Sequence, residues 1–336
     1  MDIHAVQKIL TEEGQPAFRQ DQVVAAVFGQ LVSGWDEVTT LPSALRDRLS
    51  AEVLFSSLVP SGEITSAKGD TVKFAFSLHD GKTIETVLIR HDEGRRTVCV
   101  SSQVGCAMAC TFCATGQLGF SRNLTTEEIV DQVLHVARTL APKGERVSNI
   151  VVMGMGEPMH NYDNVLNALR ILNGSKTLNI GARRMTISTC GIVPGIDRLA
   201  KEPMQINLAI SLHAPVDDIR TKLMPANGPY PLDQLMPAVR SYVEKTNRKV
   251  FFEYLLIDGV NDSIETAQDL ADLMNHPLYH VNLIKYHSTG AFTASPRGKR
   301  DAFKAVLEER EVSVTHRNSF GEDIMAACGQ LAGKKG

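Results

Sequence analysis

The sequence contains no long apolar run, few cysteines and almost no excess of one charge, and each shortage removes a class of protein. No segment approaches the ~20 apolar residues of a membrane span, and Met1-Asp-Ile-His-Ala-Val-Gln-Lys lacks the basic stretch and apolar run of an export signal. A soluble, cytoplasmic protein is expected. The formal net charge is −3, so no global field announces a polyanionic partner. Contacts to nucleic acid must then come from local patches: Arg95 with Arg96, Arg183 with Arg184, Arg297 with Lys299 and Arg300, and Lys334 with Lys335. Each also reads as ordinary solvated surface. Six cysteines in 336 residues are too few for a disulfide scaffold, and three of them crowd together, which points to metal or redox chemistry in a reducing compartment.

That crowded stretch is Cys106-Ala-Met-Ala-Cys110-Thr-Phe-Cys113. Three soft ligands are one short of a closed site, since structural zinc and ferredoxin-type clusters both take four. A triplet therefore implies a distant fourth ligand or a deliberately open position. No second Cys-x-x-Cys or His-x-x-His pair occurs elsewhere, and the intervening residues are mostly apolar, which favours an open iron over zinc. Zinc, and three cysteines used as small buried hydrophobes, stand as the alternatives.

Along the chain, residues 1–57 read as short helices, with Val6, Ile9 and Leu10, then Val23, Val24, Val27, Phe28 and Leu31, at helical spacing. Val72–Phe76 and Thr83–Ile89 alternate around His79-Asp-Gly81 as a hairpin. Glu85 sits inside its second strand, where a carboxylate ordinarily faces water. After Arg96, seven strand-like runs begin near residues 98, 149, 185, 206, 250, 281 and 312, with helical segments between them. Thr125 and Glu128 form a capping box at the start of one such helix. Alternation of this kind predicts an α/β fold with a parallel sheet wrapped by helices. The expected divisions are a helical accessory domain (1–57), a β-hairpin extension (58–95) and a core (96–336). Gly154-Met-Gly156-Glu157-Pro158 falls at a strand end, where glycines let the backbone approach a ligand and Glu157 can accept from an ammonium group.

The cysteine triplet resembles the cluster motif of radical S-adenosylmethionine (SAM) enzymes. Cys99-Val-Ser-Ser-Gln-Val-Gly-Cys106, Cys113-Ala-Thr-Gly-Gln-Leu-Gly-Phe-Ser-Arg-Asn-Leu-Thr-Thr-Glu-Glu, Gly154-Met-Gly-Glu-Pro158 and Ala326-Ala-Cys328-Gly-Gln-Leu resemble the RlmN/Cfr family of RNA adenine methyltransferases over nearly the whole chain. The resemblance implies a partial (β/α)6 barrel with its site at the carboxyl ends of the strands. It implies a 4Fe-4S cluster held by Cys106, Cys110 and Cys113, with SAM on the fourth iron. Gly156, Glu157, Ser188, Ser211, Leu212 and His213 then match SAM contacts, as does His287, which stands where the family has Asn.

The resemblance also implies the chemistry. Adenine carbons 2 and 8 are not nucleophiles, so methylation there needs a radical. Cys328 takes a methyl group from one SAM, and a second SAM yields the radical that activates it. The carbon then joins the adenine ring as a covalent enzyme–RNA adduct. Glu85 accepts the ring proton, and Cys99 releases the product by forming a disulfide with Cys328. The implied partners are 23S rRNA, a tRNA as second substrate, and a one-electron reductant such as flavodoxin, acting on a monomer. Pro158 and Ile210-Ser-Leu-His-Ala-Pro215 favour RlmN-type carbon 2, whereas Arg317-Asn-Ser-Phe-Gly321 and the step from Glu85 to Cys99 lean toward Cfr-type carbon 8. Carbon 2 is expected. Cys190 matches no role. Readings from other classes are a radical SAM enzyme acting on a non-RNA substrate, which needs no Cys328, and a non-catalytic zinc-binding RNA module.

Overall fold

The computed structural model describes residues 1–333, so Lys334 and Lys335 lie outside the described residues. Twelve strands occur among them: β1 Leu58–Thr65, β2 Thr71–Leu78, β3 Thr83–Arg90, β4 Arg96–Cys99, β5 Gln103–Gly105, β6 Phe120–Asn123, β7 Asn149–Val152, β8 Met185–Thr189, β9 Asn207–Ser211, β10 Val250–Leu256, β11 Tyr279–Lys285 and β12 Val314–His316. Ten form one sheet in the order β1-β2-β3-β4-β7-β8-β9-β10-β11-β12, and β5 pairs with β6 as a separate ribbon.

The sheet changes character at β4. From β1 to β4 neighbours run antiparallel, as short turns allow. From β4 to β12 they run parallel, each step crossing over through helical or loop segments. The crossover helices include Thr126–Leu140, Tyr162–Asn173, Leu232–Thr246, Ile264–Leu273 and Arg297–Glu309. Val98, Ile150, Ile187, Leu208, Ile210, Val250, Phe252, Val281 and Leu283 are almost wholly buried, as expected for parallel strands under a helical layer. The helix Thr126–Leu140 begins with the capping box read from sequence. The Thr125 hydroxyl accepts from Glu128 N, and Glu128 Oε2 accepts from Thr125 N at 2.9 Å.

Residues 3–52 supply the helices Ile3–Glu12, Phe18–Val24, which runs on through a π-helical turn to Gly29, and Ser43–Glu52. The N-terminal segment is tied to the helix Thr126–Leu140 by the Met1 amino group, which donates to Asp131, and by Arg138, which donates to the carbonyls of Leu31 and Val32. Among the described residues no helix is long and apolar enough to cross a membrane.

Strand β1 departs from the sequence reading, which had a two-stranded hairpin here. Pro60, Ser61 and Gly62 obscure its pattern, and a bulge between Pro60 and Gly62 absorbs the break. Proline is tolerated because β1 is the edge strand of the sheet.

Candidate active site

One cavity gathers residues from most of the sheet. It is lined by Cys106, Cys110 and Cys113 from the loop after β5, and by Gly156 and Glu157 after β7. Ser188, Cys190, Ser211, His213, Glu253 and His287 add side chains at or near the ends of β8 to β11. Cys99 at the end of β4 joins them, as do Arg317 and the tail segment around Cys328. Residues from position 99 to position 331 therefore meet because parallel strands all deliver their carboxyl ends to the same side.

The cysteine loop is pinched at its base by the β5–β6 ribbon, where Cys106 N donates to Gly119 O at 2.9 Å. Gly105 is obligatory there: its φ is +73°, and a Cβ would sit 1.8 Å from Gly119 O. Ala109 takes a left-handed φ of +49° between the first two cysteines. Burial pushes the Cys106 thiol up to about 12 and also raises Cys110, and the charge of Cys113 pushes both in the same direction. Thiols so placed resist ionisation until a cation compensates them.

Glu157 is buried and fixed on both sides. Its Oε1 accepts from Met159 N and its Oε2 from Cys190 N, each at 2.9 Å, while its own N–H donates to Gln103 Oε1 at 2.8 Å. Gly156 permits this approach, because at its φ of +103° a Cβ would lie 2.5 Å from the Gln103 side chain. His213 adopts a left-handed φ of +58° just past β9. Its Nδ1 accepts from Leu255 N at 3.1 Å, which puts the ring proton on Nε2. Burial, reinforced by the Arg220 charge, lowers its pKa to about 3, so the ring is neutral.

Arg220 is itself completely buried, bonded to the carbonyls of Leu212, Cys190 and Ser211, and so ties together the ends of β8 and β9. Leu212 does not line the cavity and contributes this carbonyl behind it. His287 is in the wall, but its Nε2 is paired with Ser319 Oγ at 3.0 Å. Its Nδ1 lies 3.3 Å from Glu322 without the alignment of a hydrogen bond.

Cys99 and Cys328 face the same cavity, and each thiol carries the other or its neighbour Arg317 among its electrostatic influences. Burial pushes Cys99 up to about 12, with the Arg317 guanidinium pulling it back. Cys328 is exposed into the cavity although protein encloses it; the enclosure raises its thiol and Arg317 again opposes. Arg317 Nη1 is held by Glu253 Oε2 at 3.1 Å, and Glu253 Oε1 accepts from Asn282 at 2.9 Å. Sequence reading missed Glu253 and Arg317 as site residues. Glu253 gave one signal, a carboxylate within the apolar run Val250–Leu256.

Glu85 is the site residue that the fold keeps apart. It is buried rather than solvent-facing, and it lines a second cavity with Lys73, Ala75, Asp323, Met325 and Ala332. Several surface cations are already neutralised: Arg95 by Glu93, Arg96 by Glu145, Arg297 by Asp301 and Lys299 by Asp258.

Residues 100–272 match the family model of the Radical SAM superfamily. The chain is 49% identical, over 97% of its length and 90% of the relative's, to a probable dual-specificity RNA methyltransferase RlmN of Geobacillus thermodenitrificans. It is 47% identical to the protein of that name from Bacillus velezensis, covering 99% of this chain and 92% of that one. The crystal structure of a radical SAM methyltransferase from Sphaerobacter thermophilus superposes with a TM-score of 0.96 at 45% identity, covering 99% of this chain and 98% of that chain.

The chain belongs to the RlmN family of the radical SAM superfamily. A 4Fe-4S cluster and SAM are the cofactors of such a protein. The residues fit them. Cys106, Cys110 and Cys113 leave one short loop to face the same cavity, and three thiolates can each take a different iron of a 4Fe-4S cluster. SAM carries an amino acid moiety with charged ends, and Glu157, Ser188, Ser211 and neutral His213 supply acceptors and donors on one cavity wall.

Proposed function

We propose that the protein methylates carbon 2 of an adenine in 23S rRNA, and of an adenine in tRNA, with Cys328 as the methyl carrier. The observation that carries this reading is the meeting of Cys99 and Cys328, 229 residues apart in sequence by their numbers, in the cavity that also receives the three cluster cysteines. A radical SAM enzyme acting on a small molecule has no need of a tail thiol at that place. The similarity to proteins named as dual-specificity RNA methyltransferases supports an RNA substrate and favours carbon 2 over the Cfr-type alternative.

Bound together, the cluster and SAM supply the methyl group and a 5′-deoxyadenosyl radical. The protein's own part is to hold the methyl group on Cys328 where a flipped or single-stranded adenine can reach it. Cys106, Cys110 and Cys113 hold the cluster, while Gly156, Glu157, Ser188, Ser211 and His213 orient SAM. His287 keeps a place on that wall through Ser319 rather than through an open donor. Cys99 stands ready to displace the product by forming a disulfide with Cys328, after which a reductant restores both thiols. We assign the helices within residues 1–57 to RNA docking, residues 58–95 to a sheet extension and residues 96–336 to the catalytic core of a cytoplasmic monomer that draws electrons from a flavodoxin-like donor.

The test is anaerobic incubation of reconstituted protein with SAM, a one-electron reductant and rRNA or tRNA fragments, followed by chromatography and mass spectrometry of nucleosides. 2-Methyladenosine is expected. 8-Methyladenosine would overturn the regiochemistry, and the absence of any methylated adenine would overturn the reading.

A further inference from the structure

The tail that carries Cys328 divides one face of the sheet into two cavities. Glu85, Val87 and Ile89 alternate along β3 and so share that face. Val87 and Ile89 open into the main cavity, whereas Glu85 opens into the second. Between the two runs the tail, with Ala326, Ala327, Cys328 and Leu331 facing the main cavity and Met325, Gln330 and Ala332 facing the other.

The tail is gripped on both sides of Cys328 by one ion pair. Lys73 Nζ on β2 lies 3.1 Å from Glu85 Oε1 on β3 and donates to Met325 O, three residues before Cys328, at 3.2 Å. Glu85 Oε2 accepts from Ala332 N at 2.7 Å and from Gly333 N at 3.1 Å, four and five residues after it. Between these grips, Ala114 N donates to Gly329 O at 2.7 Å and Thr115 Oγ1 to Leu331 O at 2.6 Å, which ties the tail to the turn just after Cys113. Glu85 is only 1% exposed and lies against Lys73, so its bonds to the tail are shielded from water.

We propose that Lys73 and Glu85 form a latch that holds the Cys328 tail across the sheet, making Glu85 a positioning residue for the methyl carrier. This rests on Cys328 being that carrier. While the latch is closed the tail stands between Glu85 and the main cavity and occupies Oε2. Glu85 meets a substrate ring there only after the tail moves, so closing the latch and accepting a ring proton are alternative states of one carboxylate.

Hydrogen exchange and cysteine methylation test this on the full-length, anaerobically purified holoenzyme. In the wild type, the amides of Ala332 and Gly333 are expected to exchange well below the free-peptide rate. Glu85→Ala should speed them about ten- to hundredfold, the loss of a charged hydrogen bond. It should also slow SAM-dependent methylation of Cys328 in the absence of RNA, with Glu85→Gln partly restoring both. Ala332→Pro removes one tail donor and leaves Glu85 in place, and is expected to slow Cys328 methylation as well. The latch is overturned if the wild-type amides exchange freely, or if both Glu85→Ala and Ala332→Pro methylate Cys328 at the wild-type rate, as an acceptor of the ring proton alone would allow. If the amides are protected yet wild-type Cys328 is never methylated, the carrier reading fails and the proposal for Glu85 fails with it, while unprotected amides beside a normally methylated Cys328 sink the latch alone.

Discussion

Cys190 donates its backbone N–H to Glu157 Oε2 across 2.9 Å, and this bond joins the carboxyl end of β8 to that of β7. The carboxylate proposed to orient SAM is thereby also a structural tie. Glu157→Gln keeps one acceptor oxygen but turns an N–H toward the other donor. A loss of about 1–3 kcal/mol in urea unfolding is expected, with weaker SAM binding in anaerobic calorimetry. Unchanged stability would contradict the tie.

Gly105 sets the base of the cysteine loop, with a positive φ and no room for a Cβ beside Gly119 O. Gly105→Ala adds strain of about 1–3 kcal/mol to that turn. The variant should keep its helical and sheet signal in circular dichroism while iron and sulfide content fall after anaerobic purification. A full complement of iron would show that the ribbon does not shape the cluster site.

The Arg317 charge lowers both the Cys99 and the Cys328 thiol, and Glu253 holds it in place. Arg317→Gln removes a pull that lowers both thiol pKa values. At fixed pH near 8, alkylation of Cys328 by iodoacetamide should slow about three- to tenfold, the effect of half to one pKa unit. An unchanged rate would remove Arg317 from thiol activation.

His213 makes stability depend on pH. Its folded pKa of about 3 lies below the ordinary value of 6.5, so between the two the unfolded chain holds the proton and the folded chain does not. Its contribution is intact above about pH 6.5 and is lost as pH falls toward 3. His213→Gln has no such proton to bind. The stability advantage of wild type over this variant should shrink by about 2 kcal/mol between pH 7 and pH 5. A constant difference would mean that the folded ring takes up its proton as readily as the unfolded one.

The parallel part of the fold was legible in the sequence because its strands are short, continuous apolar runs separated by long amphipathic helices. The helix Thr126–Leu140 even announced its start through Thr125 and Glu128. Strand β1 was hidden by Pro60 and Gly62, which normally signal a turn and are tolerated only at a sheet edge. In the site, spacing revealed Cys106, Cys110 and Cys113 because their chemistry is local. Arg317 follows β12 and Glu253 lies in β10, and they meet only through the sheet, so no linear pattern joins them. The environment of Glu85 was illegible for the same reason: its partners, Ala332 and Gly333, lie about 250 residues away by their numbers.

The most direct test of the methyl-carrier role uses SAM with a fully deuterated methyl group and follows the label into the RNA. If the carbon rests on Cys328 and gives up one hydrogen before it joins the ring, the product methyl group retains two deuterium atoms and gains one protium. A product retaining all three would show direct transfer from SAM and would contradict the account.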